Sequence, residues 1–178
     1  MLGITAFGML HTVISLIGMG AGFVALFARF RIGRDTRAGR VFVLFTALSA
    51  ITGLFIYHHG GFGKPHVLSL ATLAVLALGV WFERRGALRW QALRMASLLY
   101  TVALFFHFIP GLTETFTRLP AAAPLFDSPD DPQLAASVGV IALVFLAMGV
   151  VQWRHLRRLA GMAPVPLVVP VPAPAPIE

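Results

Sequence analysis

Apolar stretches of about twenty residues, each closed off by a polar or charged cluster, recur along the chain. They predict helices over residues 4–28, 41–58, 66–83, 95–112 and 134–153. Segments of about 17–25 apolar residues suffice to cross a hydrocarbon core of ~30 Å with modest tilt. The pattern therefore predicts an all-α integral membrane bundle of about five transmembrane helices. The fourth segment contains His107 and Pro110, and a kink or stop at the proline is tolerable near its end. Asp131-Pro132 reads as an N-cap and first-turn proline opening the last span. Met1-Leu2-Gly3-Ile4-Thr5 lacks the positive start of a secretory signal, and the apolar run after it is too long for one. This makes the first segment a retained span.

Small residues at four-residue spacing mark faces for close helix contact: Gly18 and Gly22, Ala21 and Ala25, Ser49 and Gly53. Residues 1–160 read as one transmembrane domain. From 161 to 178 alternating prolines exclude a helix and predict an extended, disordered tail or a docking segment.

The placement of charge gives the topology. Arg29, Arg31, Arg34, Arg37 and Arg40 fill the first loop. Arg84, Arg85, Arg89 and Arg94 fill the third, and Arg154, Arg157 and Arg158 follow the last span. The opposite side has only Lys64 and Arg118, beside Glu114, Asp127, Asp130 and Asp131. By the positive-inside rule the twelve arginines face the cytoplasm, so the N-terminus lies outside and the C-terminus inside. Trp81, Trp90 and Trp153 fall near the cytoplasmic ends, as interfacial anchors should.

Composition agrees: 58% of residues are hydrophobic and only 12% charged. The net charge of +7 is a topology signal in short clusters and does not point to nucleic acid. The absence of cysteine removes disulfides, iron–sulfur clusters, thiolate zinc sites and covalent c-type haem.

The candidate chemistry lies in six histidines. His155 belongs to the arginine-rich cytoplasmic stretch, and the other five fall on the outer half. His11, His58 and His66 each stand 18 residues from an inner arginine (Arg29, Arg40, Arg84), or ~27 Å along a helix. His107 stands 13 residues from Arg94, at ~20 Å. Imidazole is a common ligand for haem iron, zinc and copper. His11 with His66 or His58 meets the depth requirement of a bis-histidine haem b, while His107 needs a kink to join them. Zinc or copper would instead gather three ligands, drawn from His11, His66, His107 and outer carboxylates. The alternative is that His58, His59 and His66 mark the interface and bind no cofactor. His11 and His107 lie inside apolar runs, where an ionisable group needs a partner. Glu114 and Arg118, four residues apart, form either a helix-end ion pair or a polar clamp beside the histidines.

Three further segments carry a resemblance: Gly39-Arg40-Val41-Phe42-Val43-Leu44, Gly60-Gly61-Phe62-Gly63-Lys64-Pro65-His66, and Glu114-Thr115-Phe116-Thr117-Arg118-Leu119-Pro120. With them the chain resembles, over about residues 8–120, a family of small bacterial multi-pass proteins described only as predicted membrane proteins of unknown function. Members often read His-Arg-Arg before the Gly-Arg pair, where this chain has Asp35-Thr36-Arg37-Ala38. The resemblance implies the bacterial inner membrane and marks His11 and His66, but implies no reaction.

Three functions remain open at this point, of which the first, resting on paired histidines at matched depth, is the favoured reading. One is a haem-b redox protein passing electrons near the outer face, with quinone as a partner. Another is a non-catalytic accessory or structural subunit of a larger membrane complex. The last is a metal-dependent membrane hydrolase, against which stands the absence of an H-x-x-x-H or H-E-x-x-H pair.

Overall fold

A computed structural model describes residues 5–57, 61–85, 89–120 and 122–162. All regular structure among the described residues is helical: α1 (Ala6–Arg29), α2 (Arg37–Gly53), α3 (Lys64–Arg84), α4 (Arg89–Phe106), α5 (Phe108–Arg118) and α6 (Pro132–Met162). Among the described residues four stretches are long and apolar enough to cross a membrane: α1, α3, the stretch from Trp90 to Arg118, and α6.

Several boundaries differ from the sequence expectation. Helix α2 begins at Arg37 rather than 41, because the Thr36 hydroxyl accepts from the Gly39 N–H at 2.9 Å and caps the helix there. It ends at Gly53, short of 58, and runs out through tighter bonds from Phe55 to Thr52 and from Ile56 to Gly53. The fourth span is broken at His107 and then continues to Arg118, past the expected end at 112. Pro110 has no N–H for the Phe106 carbonyl, so the ladder is interrupted one turn upstream and then resumes. Helix α6 starts at Pro132, where Asp131 Oδ1 accepts from Gln133 N at 2.7 Å, and extends past 153 to Met162. The expected tail beyond 162 lies outside the described residues.

Neighbours in sequence are neighbours in space, with α1 against α2, α2 against α3, α3 against α4, and α6 against α4 and α5. Helices α1 and α2 run antiparallel along one continuous seam. His11 meets Thr52, Ser15 meets Ser49, Gly18 meets Thr46, and Gly22 meets Phe42. The small residues let the backbones close: a Cβ on Gly22 would lie 2.8 Å from the Phe42 ring. Tyr100 likewise fills the notch at Gly79 and, with Phe42, Leu76, Leu104 and Phe145, forms the buried centre.

The loop between α1 and α2 is tightly built. Phe30 takes a left-handed conformation (φ 50°), and its ring lies 5.3 Å from that of His155 on α6. The Arg31 guanidinium, bonded to Asp35 Oδ1 at 2.9 Å, holds the Asp35 carboxyl below the usual carboxylate range, and Arg29 at 3.8 Å adds to this. A carboxylate with a lowered folded value contributes stability above its unfolded value, and that contribution is lost as pH falls through the folded one. Arg31→Gln is accordingly expected to move the Asp35 titration upward, as read from its carboxyl carbon by NMR. An unchanged titration would argue that Arg31 is not the controlling partner.

Candidate functional site

Polar side chains inside the bundle form two layers, one toward the histidine end and one toward the arginine end. At the histidine end, α2 presents Thr46, Ser49 and Thr52 along the faces it turns to its neighbours. The Thr52 hydroxyl lies within hydrogen-bond reach of the Leu48 and Ser49 carbonyls and shares a bond of 2.9 Å with His11 Nδ1. Ser15 and Ser49 share a bond of 2.6 Å one turn deeper. From the hinge between α4 and α5, His107 Nε2 bonds Thr46 Oγ1 at 3.1 Å. Glu114 and His107 both lie within electrostatic reach of His11.

His66 stands apart from this seam. It caps its own helix: the Gly63 N–H donates to His66 Nδ1 at 3.1 Å. Its proton is therefore on Nε2, which is buried and has no partner among the described residues, in a residue only 3% exposed. Its ring is covered by Tyr57 and Phe62, with centroids at 4.7 and 5.3 Å. Glu114 and Arg118 pair on α5. Lys64 reaches Asp130 at 2.5 Å across the same surface, between two exposed side chains. His58 lies outside the described residues.

His66 is thus held apart from His11 and His107, which bond different threonines of α2. A bis-histidine iron needs two unprotonated nitrogens facing one point. His11 has its Nδ1 engaged by Thr52, His107 its Nε2 by Thr46, and His66 its Nδ1 by the Gly63 N–H. The threonines holding His11 and His107 are six residues apart on α2, or ~9 Å along its axis. Among the described residues no three His, Cys, Asp or Glu side chains gather where one metal ion would sit.

The arginine-end layer was not singled out by the sequence reading. Glu83, at the end of α3, accepts from the Arg34 backbone N–H at 2.8 Å, the Arg34 guanidinium at 3.2 Å and the Tyr100 hydroxyl at 3.0 Å. One helix away Ser97 Oγ accepts from the Ile32 N–H at 3.0 Å, and Thr101 donates to Gln152 Oε1 at 3.1 Å. The available signal was a glutamate standing alone before Arg84-Arg85 at the end of an apolar run. No known protein family, curated protein or solved structure matches this chain.

Proposed function

We propose that this chain is a five-span protein of the bacterial cytoplasmic membrane that acts as a non-catalytic helical subunit of a larger membrane assembly. Its N-terminus faces outside and its C-terminus the cytoplasm. The observation that carries the functional reading is the state of the ring nitrogens. Thr52, Thr46 and the Gly63 backbone each occupy one nitrogen of His11, His107 and His66, so these residues join helices or cap them. Five crossings are supported by the α1–α2 seam: α2 has only 17 residues, yet it follows α1 from Phe42 to Thr52. The arginines at one end of the bundle support the orientation. An exposed apolar face on α6, including Val140, Leu143, Val144 and Val151, leaves room for a neighbouring helix as well as for lipid.

If the histidines are structural, His11→Ala and His107→Ala are each expected to lower bundle stability by about 1–2 kcal/mol. Unfolding by SDS in mixed micelles reads this, and no change in either variant argues against the role. For the assembly, extraction from native membranes in a mild detergent is expected to give a particle with a defined partner at fixed stoichiometry. A chain that migrates alone, at its own 19.2 kDa plus detergent, overturns the reading.

The position of His11 within electrostatic reach of His107 and Glu114 favours haem b as the second reading, with quinone as the redox partner and zinc or copper as the metal alternative. A Soret band after haem-replete expression, abolished by His11→Ala, would replace the first reading with this one.

A further inference from the structure

A groove of about 510 Å³ runs between α4 and α6, within the ~300–1,000 Å³ typical of ligand sites. We propose that it holds one acyl chain of an anionic phospholipid whose phosphate rests at the arginine end. The site rests on the membrane reading above, but not on the subunit role.

The groove has a direction. Phe105 and Phe145 line its deep part, Gly149 and Thr101 its middle, and Trp153 and Arg154 its mouth. Its α6 wall extends from Ala142 to Arg154, or ~18 Å of helix, comparable to half of a ~30 Å hydrocarbon core. A chain lying in it therefore starts at the arginine-side interface and ends near the bilayer centre. Gly149 opens the middle, since a Cβ there would meet only Leu98 at 3.6 Å.

The charge at the mouth selects the headgroup. Arg154 lines the groove, and the Arg94 guanidinium lies 4.7 Å from the centroid of the Trp153 ring. Arg157 and Arg158 continue the same helix by one turn. Neither α4 nor α6 contains an Asp or Glu, and among the described residues no carboxylate pairs with Arg154. The carboxylates on this side are committed elsewhere, Glu83 to Arg34 and Asp35 to Arg31. A phosphodiester carried on an acyl chain supplies the missing negative charge and the apolar filling together, which a zwitterionic lipid does less well.

The full chain, purified in detergent and equilibrated with equal amounts of phosphatidylglycerol and phosphatidylcholine, is analysed by native mass spectrometry. A single phosphatidylglycerol is expected to be retained in preference to phosphatidylcholine. Arg154→Gln is expected to reduce that preference about fivefold, while Arg40→Gln, on α2, leaves it intact. Gly149→Leu, which gains helix propensity and fills the groove, is expected to lose the retained lipid with its fold preserved by circular dichroism. Equal retention of the two lipids overturns the proposal, as does a preference untouched by both groove variants. Displacement of the lipid by soluble glycerol phosphate also overturns it, because the site would then be one for free phosphate. Release of the chain from membranes by alkaline carbonate would instead count against the membrane reading, which keeps the two failures distinct.

Discussion

Replacing Glu83 with alanine is expected to destabilise the bundle by about 2–3 kcal/mol, the largest effect foreseen for a single polar side chain here. Three donors lose their acceptor at once: the Arg34 N–H, its guanidinium and the Tyr100 hydroxyl. Tyr100 is fully buried, so its hydroxyl has no water to turn to. Arg34 keeps about a third of its side chain exposed, and this holds the estimate below that for a fully buried pair. Position matters as well, because a carboxylate in the last turn of α3 opposes the helix dipole and is tolerated only with such partners. Glu83→Gln keeps an acceptor oxygen and is expected to lose about half as much. A double-mutant cycle with Tyr100→Phe should show coupling, read by SDS unfolding with tryptophan fluorescence. Additive effects from the two substitutions would sink the account.

The second large effect is expected at Gly39. A Cβ there would stand 1.9 Å from the Gly33 carbonyl oxygen and 2.6 Å from its carbon, so the clash is with backbone and no rotamer relieves it. The same carbonyl accepts from the Thr36 N–H at 3.2 Å and the Thr36 hydroxyl at 3.0 Å, which fixes it in place. Gly39→Ala should therefore cost at least the ~1–3 kcal/mol usual for overpacking. It should also loosen the loop that carries Arg31, Arg34 and Asp35. Gly20→Ala provides the contrast. A Cβ at Gly20 meets nothing within 4 Å, so helix propensity alone acts, and a gain of up to ~1 kcal/mol is expected. Thermal unfolding of the two variants side by side checks the pair, and equal effects would refute the assignment of Gly39 to a close approach.

These two positions also show what could be read in advance. Apolar run length revealed the helices because lipid-facing and core-facing residues in such a bundle are both apolar. Gly18 and Gly22 could be recognised because small residues at four-residue spacing have one common use. Ends were less legible: the Thr36 cap and the break at His107 depend on single hydrogen bonds that a hydropathy pattern does not carry. The histidines could be ranked by depth but not by rotation about their helices. Rotation decides that His11 and His107 meet hydroxyls of α2 while His66 turns back onto Gly63. Counting the arginines for topology hid the fact that Glu83 and Asp35, lying among them, organise that end of the bundle.

The seam between α1 and α2 has a consequence for how the protein is made. The two helices are consecutive and joined only by residues 30–36, a connection itself pinned by Thr36 and Gly39, so closing the hairpin costs little chain entropy. Both helices can therefore pair without waiting for a distant part of the chain. Ser15 with Ser49 and His11 with Thr52 are then satisfied within the hairpin itself, while Thr46 waits for His107.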